Sequence, residues 1–230
     1  MITPSDHIRK CIEQEQWDLL TTLFQRLSNA EFRRLEQTIR QNILPTLPNN
    51  TFWAALLHLI NYREQAFISG IMAIEHLAND GTLRFDSPEA LQLAQRMNET
   101  QVLKMMDMAV PLLRTEEQVN GLFHLFHVDD ERQQIRVLLR LHTPLAYFLI
   151  FKLLCHATNS RELALQCCKA VQKRGDDLSY NMVSILREYF GLTEIRSQLS
   201  LHIEPYELSY LDQSYERFCY ALEGKKPKVF

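Results

Sequence analysis

The stretch Thr143–Ala157, TPLAYFLIFKLLCHA, decides how this chain reads. Between Leu145 and Cys155 the only side chain that is not apolar is Lys152. A surface helix carries one apolar stripe, whereas this segment is apolar nearly all round, which places it between neighbouring helices. Thr143 suits an N-cap, and Pro144 suits the first helical position, where a missing N–H costs nothing. The spacing predicts a buried helix over 144–155 at the centre of the core, with Phe148 and Phe151 on one face.

Outward from that helix, start and stop signals recur at short intervals. Ser28 with Glu31, Asn98 with Gln101 and Thr115 with Gln118 fit the capping box, and Asn159 with Glu162 is read as a cap of the same spacing. Ser87-Pro88-Glu89 joins an N-cap, a proline at the first position and an early carboxylate. Asp129-Asp130-Glu131 puts three carboxylates at the positive end of a helix expected to run to Leu141. Gly175 and Gly191 close two later helices, and Pro111 bends or ends the Met-rich segment before it. Residues 6–27 read equally as one helix or two.

Only six glycines and eight prolines occur in 230 residues. Sheet-rich folds need many turns, so this shortage favours helices with short connections. The fold class is all-α: a helical-hairpin repeat array (an α-solenoid of the HEAT or tetratricopeptide type) or an irregular multi-helix bundle. Paired helix starts recur roughly every 30–37 residues, a period that belongs to stacked hairpins. No tetratricopeptide or ankyrin signature accompanies it, so both architectures stay open. The domain expectation is one helical domain over 1–230, a weak subdivision at the proline-bearing 44–50 stretch, and a flexible basic tail at 223–230.

The net charge of −3 and the pI near 6.2 argue against a dedicated nucleic-acid binder without excluding a local basic face. No apolar run approaches the roughly 20 residues that span a bilayer, and the N-terminal ten residues lack a signal-peptide core. Five cysteines without a C-x-x-C pattern read as reduced thiols. A cytoplasmic location, no membrane partner and no cofactor are expected.

Nucleotide-binding glycine loops, G-x-S-x-G, H-E-x-x-H and E-x-x-H are all absent from the sequence. His124 and His127 are weak metal candidates, since an i, i+3 spacing puts two imidazoles on one helix face near Asp129 and Asp130. His58, His142 and His156 lie among apolar residues and read as packed or half-exposed side chains, not catalytic ones. Trp17 and Trp53 read as core. Arg132, Arg136 and Arg140 form the clearest charged feature, four-residue steps that set guanidinium groups about 6 Å apart along one helix line. The plainer reading is a solvated face; the functional one is a ladder for an acidic protein surface or for phosphates. Tyr206 and Tyr210, at i, i+4, suit an interface or the packing of a terminal helix. No catalytic residue is nominated. The leading reading is a non-enzymatic scaffold that binds another protein. The alternative is a nucleic-acid-binding HEAT-like array using the arginine ladder.

Overall fold

The computed structural model describes residues 4–60, 64–196 and 208–224. These residues form thirteen α-helices joined by short turns and contain no strand. The chain divides into two compact units, Met1–Val128 and Asp129–Phe230.

The first unit begins with α1 (Pro4–Glu13) and α2 (Trp17–Arg26). Residues 6–27 are therefore two helices, broken where Glu15 takes a left-handed φ of 54°. The sequence between Ser28 and Ala109 then gives α3 (Asn29–Thr38), α4 (Asn49–Leu59), α5 (Glu64–Asn79), α6 (Pro88–Arg96) and α7 (Glu99–Ala109). α8 (Glu116–Leu125) closes the unit. The Ser28, Asn98 and Thr115 capping boxes form with both reciprocal bonds. α3 runs on through a π turn, Ile39–Ile43, into a 3₁₀ turn, Leu44–Thr46. The 44–50 stretch thus lies inside this unit, with Leu44 and Leu47 buried in its core. Pro111 ends α7 in a second 3₁₀ turn, Val110–Leu112.

α4 packs against α1, α5 and α6, α6 packs against α8, and α5 packs against the 39–46 turns and α7. Trp53 is fully buried and anchors this arrangement: its Nε1–H donates to the Arg84 carbonyl at 2.7 Å, and its ring meets Phe85 at 5.7 Å. Gly121 of α8 makes room for the same Phe85, since a Cβ there would lie 2.6 Å from the ring. Hydrogen bonds between distant elements share a narrow range of spacings. Arg9–Asn42, Ser69–Glu36, Trp53–Arg84, Arg114–Asn79 and Gln118–Ala78 join residues 33, 33, 31, 35 and 40 apart in sequence.

The second unit holds α9 (Glu131–Leu138), α10 (Pro144–His156), α11 (Ser160–Gln172), α12 (Asp177–Phe190) and α13 (Tyr215–Leu222). α10 is the helix expected at the centre of the core. It packs against α9, α11 and α13, and Phe148 and Phe151 are 3% and 0% exposed. Phe151 meets Tyr189 at 4.8 Å, Phe218 at 5.5 Å and Phe190 at 6.3 Å, while Phe148 meets Phe218 at 5.5 Å and Tyr215 at 5.4 Å. Lys152, the one charge in the run, places its ammonium 5.5 Å from the Phe148 ring centre, a cation–π contact at the edge of this cluster. Thr143 and Asp176 cap α10 and α12 through their side chains, but Asn159 makes no side-chain bond at the start of α11. Gly191 closes α12 at φ 61°, a left-handed conformation that an L side chain resists. Residues 225–230, where the basic tail is expected, lie outside the described residues.

Candidate functional site

α9 carries the arginines and is shorter than its sequence suggests. Asp130 caps it by accepting from the Arg132 N–H at 3.4 Å, and Ile135, Val137 and Leu138 turn inward. The helix ends at Leu138, so only Arg132 and Arg136 keep the four-residue step; Arg140 lies in the turn that follows. All three are exposed. Among the described residues neither the Arg132 nor the Arg136 guanidinium is in an ion pair. Lys169 and Lys173 of the α11 end are exposed, but Arg174 is half-buried and engaged. It donates to the Leu139 carbonyl, at the C-cap of α9, and at 2.9 Å to the Leu141 carbonyl in the turn that follows. Arg174 is thus an anchor for the end of α9 and no part of an exposed ladder.

The structure separates the histidine pair. α8 ends at Leu125, and His127 lies beyond it at φ 52°, so His124 and His127 do not share a helix face. Both are exposed, and among the described residues no group of three His, Cys, Asp or Glu side chains is placed to hold a metal ion. Tyr206 lies outside the described residues. Tyr210 is in a turn ahead of α13, 45% exposed, with the Arg217 guanidinium 5.7 Å from its ring centre.

Two arrangements have no counterpart in the sequence reading. Trp17 is half-exposed and stacks on His58 of α4 at 4.4 Å and 8°, so it covers an edge of the first unit and is not core. Burial holds the His58 imidazole below its usual range, with Arg96 acting in the same direction against Asp18. The second arrangement is a polar cluster at the α9–α10 and α11–α12 turns. His142 Nε2 lies 3.0 Å from Asp176 Oδ1, and its Nδ1 lies 3.0 Å from the Tyr147 hydroxyl. Ser179 donates its hydroxyl to Asp176 Oδ2 at 3.1 Å and its N–H to Asp176 Oδ1 at 3.0 Å.

Serine, histidine and aspartate meet here, but not in the order nucleophilic catalysis needs. A base must take the proton of the nucleophile, and the Ser179 hydroxyl is bonded to Asp176 and Tyr147 and not to the imidazole. Ser179 is also 0% exposed, so no substrate reaches it. The cysteines are equally unsuited. Burial pushes the Cys155 thiol up to about 11 and those of Cys167 and Cys168 up to about 12, far from the thiolate a nucleophile requires. Among the described residues the His142–Asp176–Ser179–Tyr147 contacts join two turns of the second unit. Comparison with known protein families, curated proteins and solved structures found no match to this chain.

Proposed function

We propose that the chain is a helical-hairpin scaffold that binds an acidic protein surface through Arg132 and Arg136 of α9. The observation that carries the scaffold reading is the spacing of contacts between elements. In the first unit the hydrogen-bonded partners named above are 31 to 40 residues apart. In the second, Tyr147–Ser179, Arg161–Glu194, Arg174–Leu139 and Asn181–Leu222 are 32, 33, 35 and 41 apart. Contacts at one hairpin length are what stacked repeats make, because each hairpin buries its face on the next. Five free thiols accord with a reducing, cytoplasmic setting. The partner reading rests on two exposed guanidinium groups at a four-residue step, a spacing that suits carboxylates on a facing helix.

A photo-crosslinking side chain at exposed Gln133, between the two arginines, tests the reading in the native cell. A discrete protein adduct that disappears in the Arg132→Ala/Arg136→Ala double variant is expected. Absence of any adduct, or one unchanged in the double variant, overturns the partner site. A mobility shift of duplex nucleic acid at low salt, lost in the same double variant, moves the assignment to the phosphate reading.

A further inference from the structure

Four side chains at the joint between the α9–α10 and α11–α12 turns form hydrogen bonds that close on themselves. His142 contacts Asp176 and Tyr147 through its two ring nitrogens, each at 3.0 Å. The Tyr147 hydroxyl lies 3.4 Å from Ser179 Oγ, and Ser179 Oγ lies 3.1 Å from Asp176 Oδ2, which completes the ring. Each of the four links needs one proton between its heavy atoms. Ionised Asp176 brings none, Ser179 and Tyr147 bring one each, and a neutral imidazole brings one. Three protons cannot fill four links, so with neutral His142 one link faces lone pair to lone pair. An imidazolium brings two protons, and the count closes. Nε2–H and the Ser179 hydroxyl then donate to Asp176, the Tyr147 hydroxyl donates to Ser179, and Nδ1–H donates to Tyr147. That leaves the Tyr147 oxygen a second lone pair for Arg174 Nη1, which approaches to 3.5 Å.

The fourth proton does not belong on Asp176. Burial raises that carboxyl, but bonds from the Ser179 N–H and hydroxyl, together with His142, outweigh it and hold the group below the usual carboxylate range. We infer that the ring is a proton-operated clasp: protonation of His142 completes it and tightens the joint between the two turns, and loss of that proton opens one link. The charged groups in contact with the ring are Asp176, which is part of it, and Arg174 at the end of α11, whose Nη1 lies 3.5 Å from the Tyr147 hydroxyl; Asp177, Lys173 and Arg140 are their neighbours in sequence or in the α9–α10 turn. Asp176 is the carboxylate in contact with the imidazole, its Oδ1 3.0 Å from Nε2. The clasp governs the order of the segment Leu139–His142, which Arg174 already ties through two carbonyls.

Amide hydrogen exchange of the full chain between about pH 5 and about pH 8, corrected for base catalysis, tests this, with the protonation state of His142 followed by side-chain ¹⁵N NMR. Protection of the 139–142 turn and the first turn of α12 is expected to fall about 2- to 10-fold as His142 loses its proton, the value of one hydrogen bond. The first turn of α6, capped by Ser87 with no histidine ring, serves as the internal reference and stays level. His142→Gln, at an exposed position, is expected to abolish the pH dependence, and Tyr147→Phe, which keeps the buried ring but removes two of the four links, to reduce it to that of the remaining His142–Asp176 pair. Equal protection of the two turns in both protonation states, or a pH dependence that survives His142→Gln, overturns the clasp.

Discussion

Phe151 concentrates the packing of the second unit in one side chain. It is 0% exposed and meets the rings of Tyr189, Phe190 and Phe218. Truncating a buried Phe costs about 3–5 kcal/mol through lost transfer energy and the cavity left behind. Phe151→Ala is therefore expected to lower unfolding stability by that amount in a denaturant titration, and Phe148→Ala, with two ring contacts, by a value toward the lower end. The arginines separate by what they touch. Arg132→Ala and Arg136→Ala are each expected to change stability by about 0.5 kcal/mol or less, as exposed substitutions do. Arg174→Ala removes charged donors from the Leu139 and Leu141 carbonyls and is expected to cost about 1.5–3 kcal/mol. Asp176 adds a pH dependence of known sign. Its folded carboxyl lies below the unfolded one, so the stability it contributes is present above the ordinary carboxylate range and is lost as pH falls through the lowered one. In acid titrations of unfolding, Asp176→Asn is expected to be less sensitive to pH over that window than the parent.

At the scale of single elements, what the sequence disclosed follows from how local each signal is. The Ser28, Asn98 and Thr115 boxes are readable because both bonds close within three residues. Helix 144–156 is readable because its apolar run admits no solvent face. Helix ends with neither glycine nor proline were hard to read: His127 takes the left-handed position after α8, and α9 stops at Leu138 with no breaker, which misplaced the histidine pair and the third arginine. The polar ring was hidden because His142 and Tyr147 lie about thirty residues or more from Asp176 and Ser179, and nothing local links the two pairs. Trp17 was misread because its helical spacing matches a core position, whereas its partner is a half-exposed His58. Two substitutions test element-level packing. Gly121→Ala drives a Cβ to 2.6 Å from the Phe85 ring and is expected to cost about 1–3 kcal/mol by overpacking where α8 meets the connection before α6. Thr115→Ala removes the cap of α8 and is expected to cost about 1 kcal/mol. Thermal unfolding followed by circular dichroism reads both, and no loss at either position contradicts the packing described.

Across the whole molecule, one spacing recurs in both units. Side chains reach partners 33 residues along the chain in Arg9–Asn42 of the first unit and 41 in Asn181–Leu222 of the second. An array of stacked hairpins and a globular bundle are both all-α, and composition, helix length and circular dichroism do not separate them. They differ in which helices touch, because an array limits each hairpin to its neighbours while a bundle core brings distant helices together. That difference also bears on function, since an array presents successive helix faces to a partner and a bundle closes them inward. Methyl–methyl nuclear Overhauser contacts, recorded on chain labelled at Ile, Leu, Val and Met, test the array most directly. Within residues 4–128, strong contacts between helices are expected to join residues no more than about 45 apart, one hairpin and its neighbour. Strong contacts between α1 or α2 and α7 or α8 would contradict the array and establish a bundle.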